Sequence, residues 1–337
     1  MADIRVTTMS RHEIILATER QLRPDQFRPK SGPAAVCPFC PGNENLTPKE
    51  QLEWKDRHGK WKLRVVPNKF PALRIEGKSE FVIEGAESIG IADAHGVHDV
   101  LIENPRHDAT HATLSPQEHK DILWAIHDRC QSLRGDRSIR DLRVFKNFGG
   151  DAGASLEHPH TQIIGLPFTP AEPLERWNRH EVYYNRNGVS IFARALENAR
   201  QHELIVLEEN DLVCYAPYES HFPFELWIMP KADVANFADL RSHFDVLGGM
   251  LAETFGLLEA AIGFLPPFNA YIDEAPPKDV RDCSRFYRVR YRIVPRLTRI
   301  GGFEIQTGCY INTVPPEQAA RRLREIKTGA AELPTSS

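Results

Sequence analysis

Cysteines are few in this sequence of 337 residues, and long apolar runs are missing. The six cysteines are too few and too scattered for a disulfide framework; they lie at positions 37, 40, 130, 214, 283 and 309. No apolar run reaches the roughly 18 residues of a membrane span, and the N-terminus has no basic segment followed by an apolar one. We therefore expect a cytoplasmic protein without a membrane partner.

The sequence also has no large excess of positive or negative charge. The 42 lysines and arginines nearly balance 46 aspartates and glutamates, which leaves a formal charge of -4. A nucleic-acid-binding protein usually has an excess of basic residues, which this sequence does not have, so we expect no nucleic-acid partner. A small phosphorylated ligand is not excluded, because a few local cations suffice to bind it.

The order of the strand-like segments predicts a duplicated fold. One series of apolar segments ends with residues 144–167, and a second series of the same kind ends with residues 267–295. An internal repeat of this length favours duplication of one α+β unit over two unrelated domains. We expect an N-terminal unit over 1–170, a C-terminal unit over 171–330 and a frayed tail over 331–337.

Helical patterns accompany the strands. Residues 115–136 open with Ser115 as the N-cap and Glu118 three residues later, which is the pattern of a capping box. Residues 240–263 and 315–329 are the other predicted helices. The segment 169–188 is interpreted as a linker between the two halves.

The pair Cys37 and Cys40 is the strongest local metal signal in the chain. A C-x-x-C turn points both sulfurs at one ion, and zinc then needs two more ligands, commonly histidines. His158 and His107 are the candidates. Two thiolates and two neutral imidazoles would cancel the charge of Zn²⁺, so such a cluster could be partly buried. Two buried thiols or a redox pair remain open as alternatives.

Polar residues alternate in the stretch EHPHTQIIGLP. In an extended chain, His158, His160 and Gln162 lie on one face, because side chains alternate with period two. The glycine-rich loop 149–153 comes just before them, and residues without a Cβ let backbone amides approach an anion closely. An anion cradle followed by a row of imidazoles indicates chemistry on a phosphate.

Residues 153–162, GASLEHPHTQ, resemble the active-site strand of galactose-1-phosphate uridylyltransferases and their nucleotidylyltransferase relatives, the transferase branch of the histidine-triad superfamily. The resemblance covers most of the chain, since further motifs follow in family order at 17–24, 37–50, 65–73, 103–115 and 295–317. It implies an α+β fold of two tandem histidine-triad-like (HIT-like) units, mainly antiparallel sheet with flanking helices.

The resemblance also implies roles for individual residues. His160 would be the nucleophile that attacks the α-phosphorus of a nucleoside diphosphate sugar, and Gln162, where hydrolase relatives carry a third histidine, would donate to the phosphoryl oxygens. The other implied phosphate or nucleotide contacts are Ser155, Arg20, Arg23, Asn68 and Asn147. Gly149 and Gly153 of the glycine-rich loop are candidates from the residues themselves. Gln306 and Thr307 lie in a segment that resembles the one gripping the sugar phosphate, often across a dimer interface, so a homodimer is expected.

One structural Zn²⁺ per chain is implied in the same way. Its ligands would be Cys37, Cys40, His107 and His158, and a neighbouring histidine could take the place of His107. These neighbours are His95, His98 and His111.

The sequence also departs from the family. Arg288 and Arg290 stand where many relatives have a histidine pair, so the C-terminal unit is predicted to be catalytically degenerate. Together with Arg292 they form either a cationic face for a phosphorylated acceptor or a solvated sheet edge. Glu157 and Thr161 replace the usual Pro and Gly of the uridylyltransferases.

Three functions follow from these expectations. The leading hypothesis is a UDP-glucose:hexose-1-phosphate uridylyltransferase that works by a ping-pong cycle through a nucleotidyl-histidine. The alternative with the same chemistry is a phosphorylase of a nucleotide sugar, such as ADP-glucose, or of a dinucleoside polyphosphate. From another class, the chain could be a zinc-stabilised nucleotide-binding protein without catalysis.

Overall fold

The structure is a computed structural model that describes residues 2–7, 13–18, 20, 36–77, 82–84, 89–277 and 281–330. Arg23 and the tail 331–337, for which the sequence makes predictions, lie outside the described residues. The chain divides into two compact units, each built from several segments. Unit 1 comprises Met1–Asp108, Ala125–Phe145 and Ser155–Arg179, and unit 2 comprises Ala109–Trp124, Lys146–Ala154 and His180–Ser337.

Nine strands begin in the described part of unit 1: β1 (Asp3–Thr7), β2 (Ile14–Leu16), β3 (Leu52–Lys55), β4 (Trp61–Pro67), β5 (Val82–Glu84), β6 (Ile89–Asp93), β7 (Val97–Ile102), β8 (Asp141–Phe148) and β9 (His160–Leu166). The central sheet has the antiparallel order β3-β4-β7-β9-β8, and a smaller sheet has the order β2-β1-β6-β5. The central strands bury their apolar side chains almost completely, as Val65, Leu101 and Ile163 show. Burial of this kind holds the strand that carries the histidines in one register.

Unit 2 repeats the order of that central sheet. Its strands are β10 (Ile205–Glu209), β11 (Leu212–Tyr215), β12 (Leu226–Pro230), β13 (Phe268–Asp273) and β14 (Arg290–Pro295), in the antiparallel order β10-β11-β12-β14-β13. In each unit the last strand in the sequence lies between the third and the fourth. The fold class is therefore α+β with two tandem HIT-like units, as predicted, whereas the boundary at residue 170 stays a prediction.

The six α-helices of the described residues are α1 (Pro116–Arg134), α2 (Ala171–Asn187), α3 (Ile191–Gln201), α4 (Phe244–Ile262), α5 (Gly302–Thr307) and α6 (Pro316–Thr328). The three predicted helices are confirmed as α1, α4 and α6. The capping box is present too, because Ser115 Oγ accepts from the Glu118 amide at 3.2 Å and Glu118 Oε2 accepts from the Ser115 amide at 2.8 Å. No helix in the described ranges is long and apolar enough to cross a membrane.

Most of residues 169–188, the segment interpreted as a linker between the halves, forms α2. Its role as a linker stays a prediction. Pro173 lies in the first turn, where a helix tolerates proline, and Trp177 is buried one turn later. Burial of one indole supplies the stabilisation that the polar residues of the helix do not.

Two adjacent glycines of α4 give a test of its packing in unit 2. A Cβ on Gly248 would lie 2.7 Å from the Pro116 carbonyl oxygen, whereas a Cβ on Gly249 would meet nothing within 4 Å. We expect Gly248→Ala to lower the free energy of unfolding by about 1–3 kcal/mol, because backbone of α1 would have to move. Gly249→Ala, the matched control, should leave stability unchanged or raise it, since alanine favours helix over glycine. Thermal unfolding of both variants checks this, and equal melting temperatures would contradict the packing described.

Candidate active site

The polar face of β9 lies in the interior of unit 1. His160 and Gln162 alternate along the strand and are 7% and 9% exposed, while His158, just before the strand, is fully buried. Gln162 pairs with Val100 of β7, and His160 pairs with Ile102. The predicted row of side chains is therefore present, and it is enclosed by protein.

Cys37, Cys40, His107 and His158 form one cluster in unit 1. Their donor atoms all lie within 4.8 Å of one another; Cys40 Sγ is 3.2 Å from His107 Nδ1 and 3.6 Å from His158 Nδ1. His158 Nε2 lies 2.7 Å from the Asn104 carbonyl oxygen, which can only accept. Nε2 therefore carries the proton, and the lone pair on Nδ1 is directed at the cluster. This set of two thiols and two imidazoles can hold a metal ion.

The protonation states of Cys37 and His158 determine how metal binding at the cluster depends on pH. Burial raises the pKa of the Cys37 thiol to about 11 and lowers the pKa of His158 to about 4. His158 is therefore neutral at pH 7 and ready to bind a metal, whereas the Cys37 thiol must lose its proton to the solvent when an ion binds. Metal affinity should consequently rise with pH.

The three alternative histidines lie elsewhere. His95 is 2.9 Å from Ser138 Oγ, His98 contacts Gln162, and His111 packs on Phe255 in unit 2. None of them belongs to the described cluster, so the idea that one might replace His107 was wrong.

His160 is oriented by the residue two positions before it. Its Nδ1 lies 2.8 Å from the His158 carbonyl oxygen, and because a carbonyl only accepts, Nδ1 carries the proton. In the neutral ring the other nitrogen, Nε2, is then the unprotonated one and has a lone pair for attack on phosphorus. Phe39, between the two cysteines, packs edge-on against the ring at 5.5 Å.

His98 is the site residue whose role the sequence did not indicate. It is 4% exposed, and its Nε2 lies 3.0 Å from Gln162 Oε1 and 3.1 Å from Asn68 Nδ2. Its Nδ1 lies 3.0 Å from the Ala72 amide and 3.3 Å from Arg20 Nη1. His98 thus joins Arg20, Asn68 and Gln162, three residues that the sequence had singled out separately.

The glycine-rich loop is described within unit 2. Gly149 and Gly153 have φ of 79° and 81°, which favours glycine, and a Cβ on Gly149 would lie 2.9 Å from Pro267. Asn269 Nδ2 donates to Asn147 Oδ1 and to the Ala152 carbonyl, both at 2.9 Å. This fixes the Asn147 amide with its nitrogen turned away from Asn269 and available to a ligand.

The remaining predicted contacts stay predictions. Ser155 is half-buried in the segment before β9. Gln306 and Thr307 are exposed at the end of α5, where the Thr307 hydroxyl donates to the Phe303 carbonyl at 2.7 Å.

Both interpretations of the three arginines were wrong. Arg288 and Arg290 are 5% and 4% exposed, and β14, which carries Arg290 and Arg292, is paired on both sides. Carboxylates neutralise them: Asp233 for Arg288, Asp273 for Arg290 and Glu225 for Arg292. They therefore offer neither a free cationic face nor a solvated edge, because partners from distant segments meet them in the fold.

Cys40 provides the test of metal binding. Cys40→Ser removes one sulfur ligand, so we expect elemental analysis to find about one metal ion per chain in the wild type and far less in the variant. Chelation should lower the melting temperature of the wild type, because binding energy of the ion is folding energy. Cys309→Ser, an exposed cysteine outside the cluster, is the control and should keep its metal. Full metal content in Cys40→Ser would contradict the assignment.

Comparison with known proteins agrees with this geometry. Residues 35–330 match the family model described as a domain of unknown function (DUF4921). The chain is 32% identical over 330 residues to an ADP-glucose phosphorylase of Arabidopsis thaliana, with 96% of this chain and 93% of that one covered. It is 27% identical over 319 residues to a galactose-1-phosphate uridylyltransferase of Streptomyces lividans, with 89% and 82% covered.

A solved structure is similar over the same extent. The crystal structure of an ADP-glucose phosphorylase from Arabidopsis thaliana with bound ADP-glucose has a TM-score of 0.76 to this chain at 31% identity, with 96% of this chain and 99% of that one covered. The chain therefore belongs to the DUF4921 family and, with it, to the galactose-1-phosphate uridylyltransferase family of HIT-like nucleotidyltransferases and phosphorylases.

Proposed function

We propose that this protein is a nucleotide-sugar phosphorylase that transfers the adenylyl group of ADP-glucose, through His160, to inorganic phosphate. The observation that carries the chemistry is the 2.8 Å hydrogen bond from His160 Nδ1 to the His158 carbonyl, which leaves Nε2 as a nucleophile. The choice of ADP-glucose is supported by the 32% identity with the ADP-glucose phosphorylase of Arabidopsis thaliana, a closer match than the uridylyltransferase reported above.

The proposed reaction has two steps. In the first, His160 Nε2 attacks the α-phosphorus of ADP-glucose; a P–N bond forms, the P–O bond to glucose 1-phosphate breaks, and the sugar phosphate leaves with the electron pair. In the second, an oxygen of inorganic phosphate attacks the same phosphorus, the P–N bond breaks, and ADP leaves. The sugar phosphate is a stable anion, so the first step needs little help from a general acid.

Other residues of unit 1 would stabilise the charge on the α-phosphoryl group. Gln162 Nε2 donates a hydrogen bond without being able to shuttle protons, which suits transfer to phosphate better than hydrolysis. Arg20 and Asn68 contact His98, which in turn contacts Gln162, and they are two further candidate donors. Ser155 is a fourth candidate. Asn147, Gly149 and Gly153 stay predicted contacts of a phosphate or nucleotide.

Uridylyl transfer from UDP-glucose to a hexose 1-phosphate, the leading hypothesis from sequence, remains the second candidate, because the family includes both chemistries. The departures at Glu157 and Thr161 weigh against it. Thr161 donates to Glu103 Oε1 at 2.6 Å, and Glu157 Oε2 lies 3.7 Å from the candidate metal ligand His107. Both substitutions are thus accommodated by contacts that proline and glycine cannot make.

We further propose that the metal is a structural zinc ion held by Cys37, Cys40, His107 and His158. Two sulfur and two nitrogen ligands suit the tetrahedral preference of zinc, and four protein ligands leave no position for a reacting water. Bound there, zinc would hold His158, and hence the carbonyl that orients His160.

The homodimer and the cytoplasmic location also remain proposals. Phe303, Ile305 and Ile311 are 51%, 77% and 61% exposed. They lie in the segment that resembles the one often found across a dimer interface in the family, which supports association of two copies. Light scattering on the purified protein measures the mass directly.

Steady-state assays of donor and acceptor test the proposed function. We expect the wild type to convert ADP-glucose and phosphate to ADP and glucose 1-phosphate. The kcat/KM of this reaction should be larger than that of the reaction between UDP-glucose and galactose 1-phosphate. His160→Gly should be slower by roughly four orders of magnitude, because the nucleophile is gone. The control His58→Gly, an exposed histidine in a turn, should match the wild type.

Each other outcome has a definite meaning. Preference for UDP-glucose and galactose 1-phosphate would favour the uridylyltransferase. If the protein binds nucleotide but turns over neither donor–acceptor pair, the hypothesis of a non-catalytic nucleotide-binding protein would be favoured. Full activity of His160→Gly would refute the nucleophile itself.

A further inference from the structure

His98 lies at the centre of a group of contacts that the proposed chemistry does not yet use. It is on β7, and its opposite residue on β9 is Ile164, so its side chain reaches Gln162 diagonally across the sheet. The side chain is almost completely buried and has two neighbours at each ring nitrogen. A buried imidazole with defined neighbours on both sides has one preferred tautomer.

The neighbours of Nδ1 decide that tautomer. The Ala72 amide and Arg20 Nη1 can only donate, so Nδ1 must accept and cannot carry a proton. Nε2 therefore bears the proton and donates to Gln162 Oε1 at 3.0 Å. If both nitrogens were protonated, Nδ1–H would face two other donors, the Ala72 amide and the charged guanidinium of Arg20, and the three would repel one another.

Asn68 is the one neighbour whose contact with the ring is not a hydrogen bond in this assignment. Its Oδ1 accepts from the Phe70 amide at 2.9 Å, which turns its Nδ2 toward His98 Nε2 at 3.1 Å. Since Nε2–H donates to Gln162, the Asn68 nitrogen is a neighbour of the ring and not its partner. The opposite tautomer would satisfy this one contact and lose the other three.

We infer that His98 is a positioning residue for Gln162, an inference that rests on the proposed function. An amide side chain can bond equally well in two orientations that exchange its oxygen and nitrogen. The donation from His98 selects the one with Oε1 toward the ring, so that Nε2, which has no partner among the described residues, is the end left for the phosphoryl oxygens. The reversed amide would direct its oxygen at the phosphate and repel it.

Arg20 contributes to this arrangement from the other side of the ring. Its guanidinium donates to the Phe70 carbonyl at 2.8 Å and meets His98 Nδ1, which keeps that nitrogen unprotonated. Arg20, His98 and Gln162 thus form a chain in which a permanent cation determines which end of a neutral amide meets the substrate.

Two substitutions of His98 distinguish the roles of its two ring nitrogens. His98→Gln can place an amide nitrogen near the Nε2 position and keep the donor to Gln162, but it loses the acceptor for the Ala72 amide. His98→Asn is shorter; it keeps an acceptor near the Nδ1 position and loses the donor. We expect His98→Asn to release glucose 1-phosphate from ADP-glucose about tenfold more slowly in a single turnover, a part of the loss caused by removing a donor outright. His98→Gln should stay close to the wild type although it is the less stable variant.

A double-mutant cycle with Gln162→Ala completes the test. If His98 acts through Gln162, adding His98→Asn to Gln162→Ala should cause no further loss of rate. Two results would overturn the inference: a double variant whose loss of rate is the product of the two single losses, or a His98→Gln variant slower than His98→Asn. If His98 were only structural, the variant with the lower melting temperature would also be the less active one.

Failure of the proposed function would look different. In that case the wild type itself would release no sugar phosphate from ADP-glucose or UDP-glucose. The inference is then judged by nitrogen NMR of the histidine rings, with the His98 signals identified by their loss in His98→Gln. A protonated Nε2 and an unprotonated Nδ1 are expected, and a protonated Nδ1 would overturn it whatever the activity.

Discussion

The hydrogen bond between His160 Nδ1 and the His158 carbonyl is the interaction on which the rest of the site depends. It decides which nitrogen of His160 has a lone pair, and it makes the direction of that lone pair follow the backbone at His158. The side chain of His158 is in turn held at both ends, by the Asn104 carbonyl and by the cysteine and histidine cluster. A metal ion bound at the cluster would therefore influence catalysis, because it would hold His158, whose carbonyl orients the His160 ring.

The two units show how a duplicated sheet can keep its order while its chemistry changes. In unit 1 the strand between the third and fourth strands carries an imidazole and an amide, those of His160 and Gln162. In unit 2 the corresponding strand carries guanidinium groups; Arg290 lies 4.6 Å from both the Phe192 and Trp227 rings and is paired with Asp273. A guanidinium has no available lone pair, so neither Arg290 nor Arg292 can act as a nucleophile, and carboxylates neutralise both. This supports the proposal that unit 2 is catalytically degenerate.

Sequence reasoning succeeded where the information was local. Period-two alternation placed His160 and Gln162 on one face, and the capping box at Ser115 located α1, because neighbouring residues determine both features. It failed where partners come from distant segments. The alternating arginines looked exposed because Asp273 and Glu225 are far away in sequence. The position of His98 needed the pairing of β7 with β9, which no spacing within either strand reveals.

Mass spectrometry of the protein after reaction with ADP-glucose in the absence of phosphate tests the central claim most directly. The account predicts an adenylyl group joined by a P–N bond to the peptide that contains His160, and its disappearance when phosphate is added. Turnover of ADP-glucose with the adduct on another residue, or with none formed under these conditions, would contradict it.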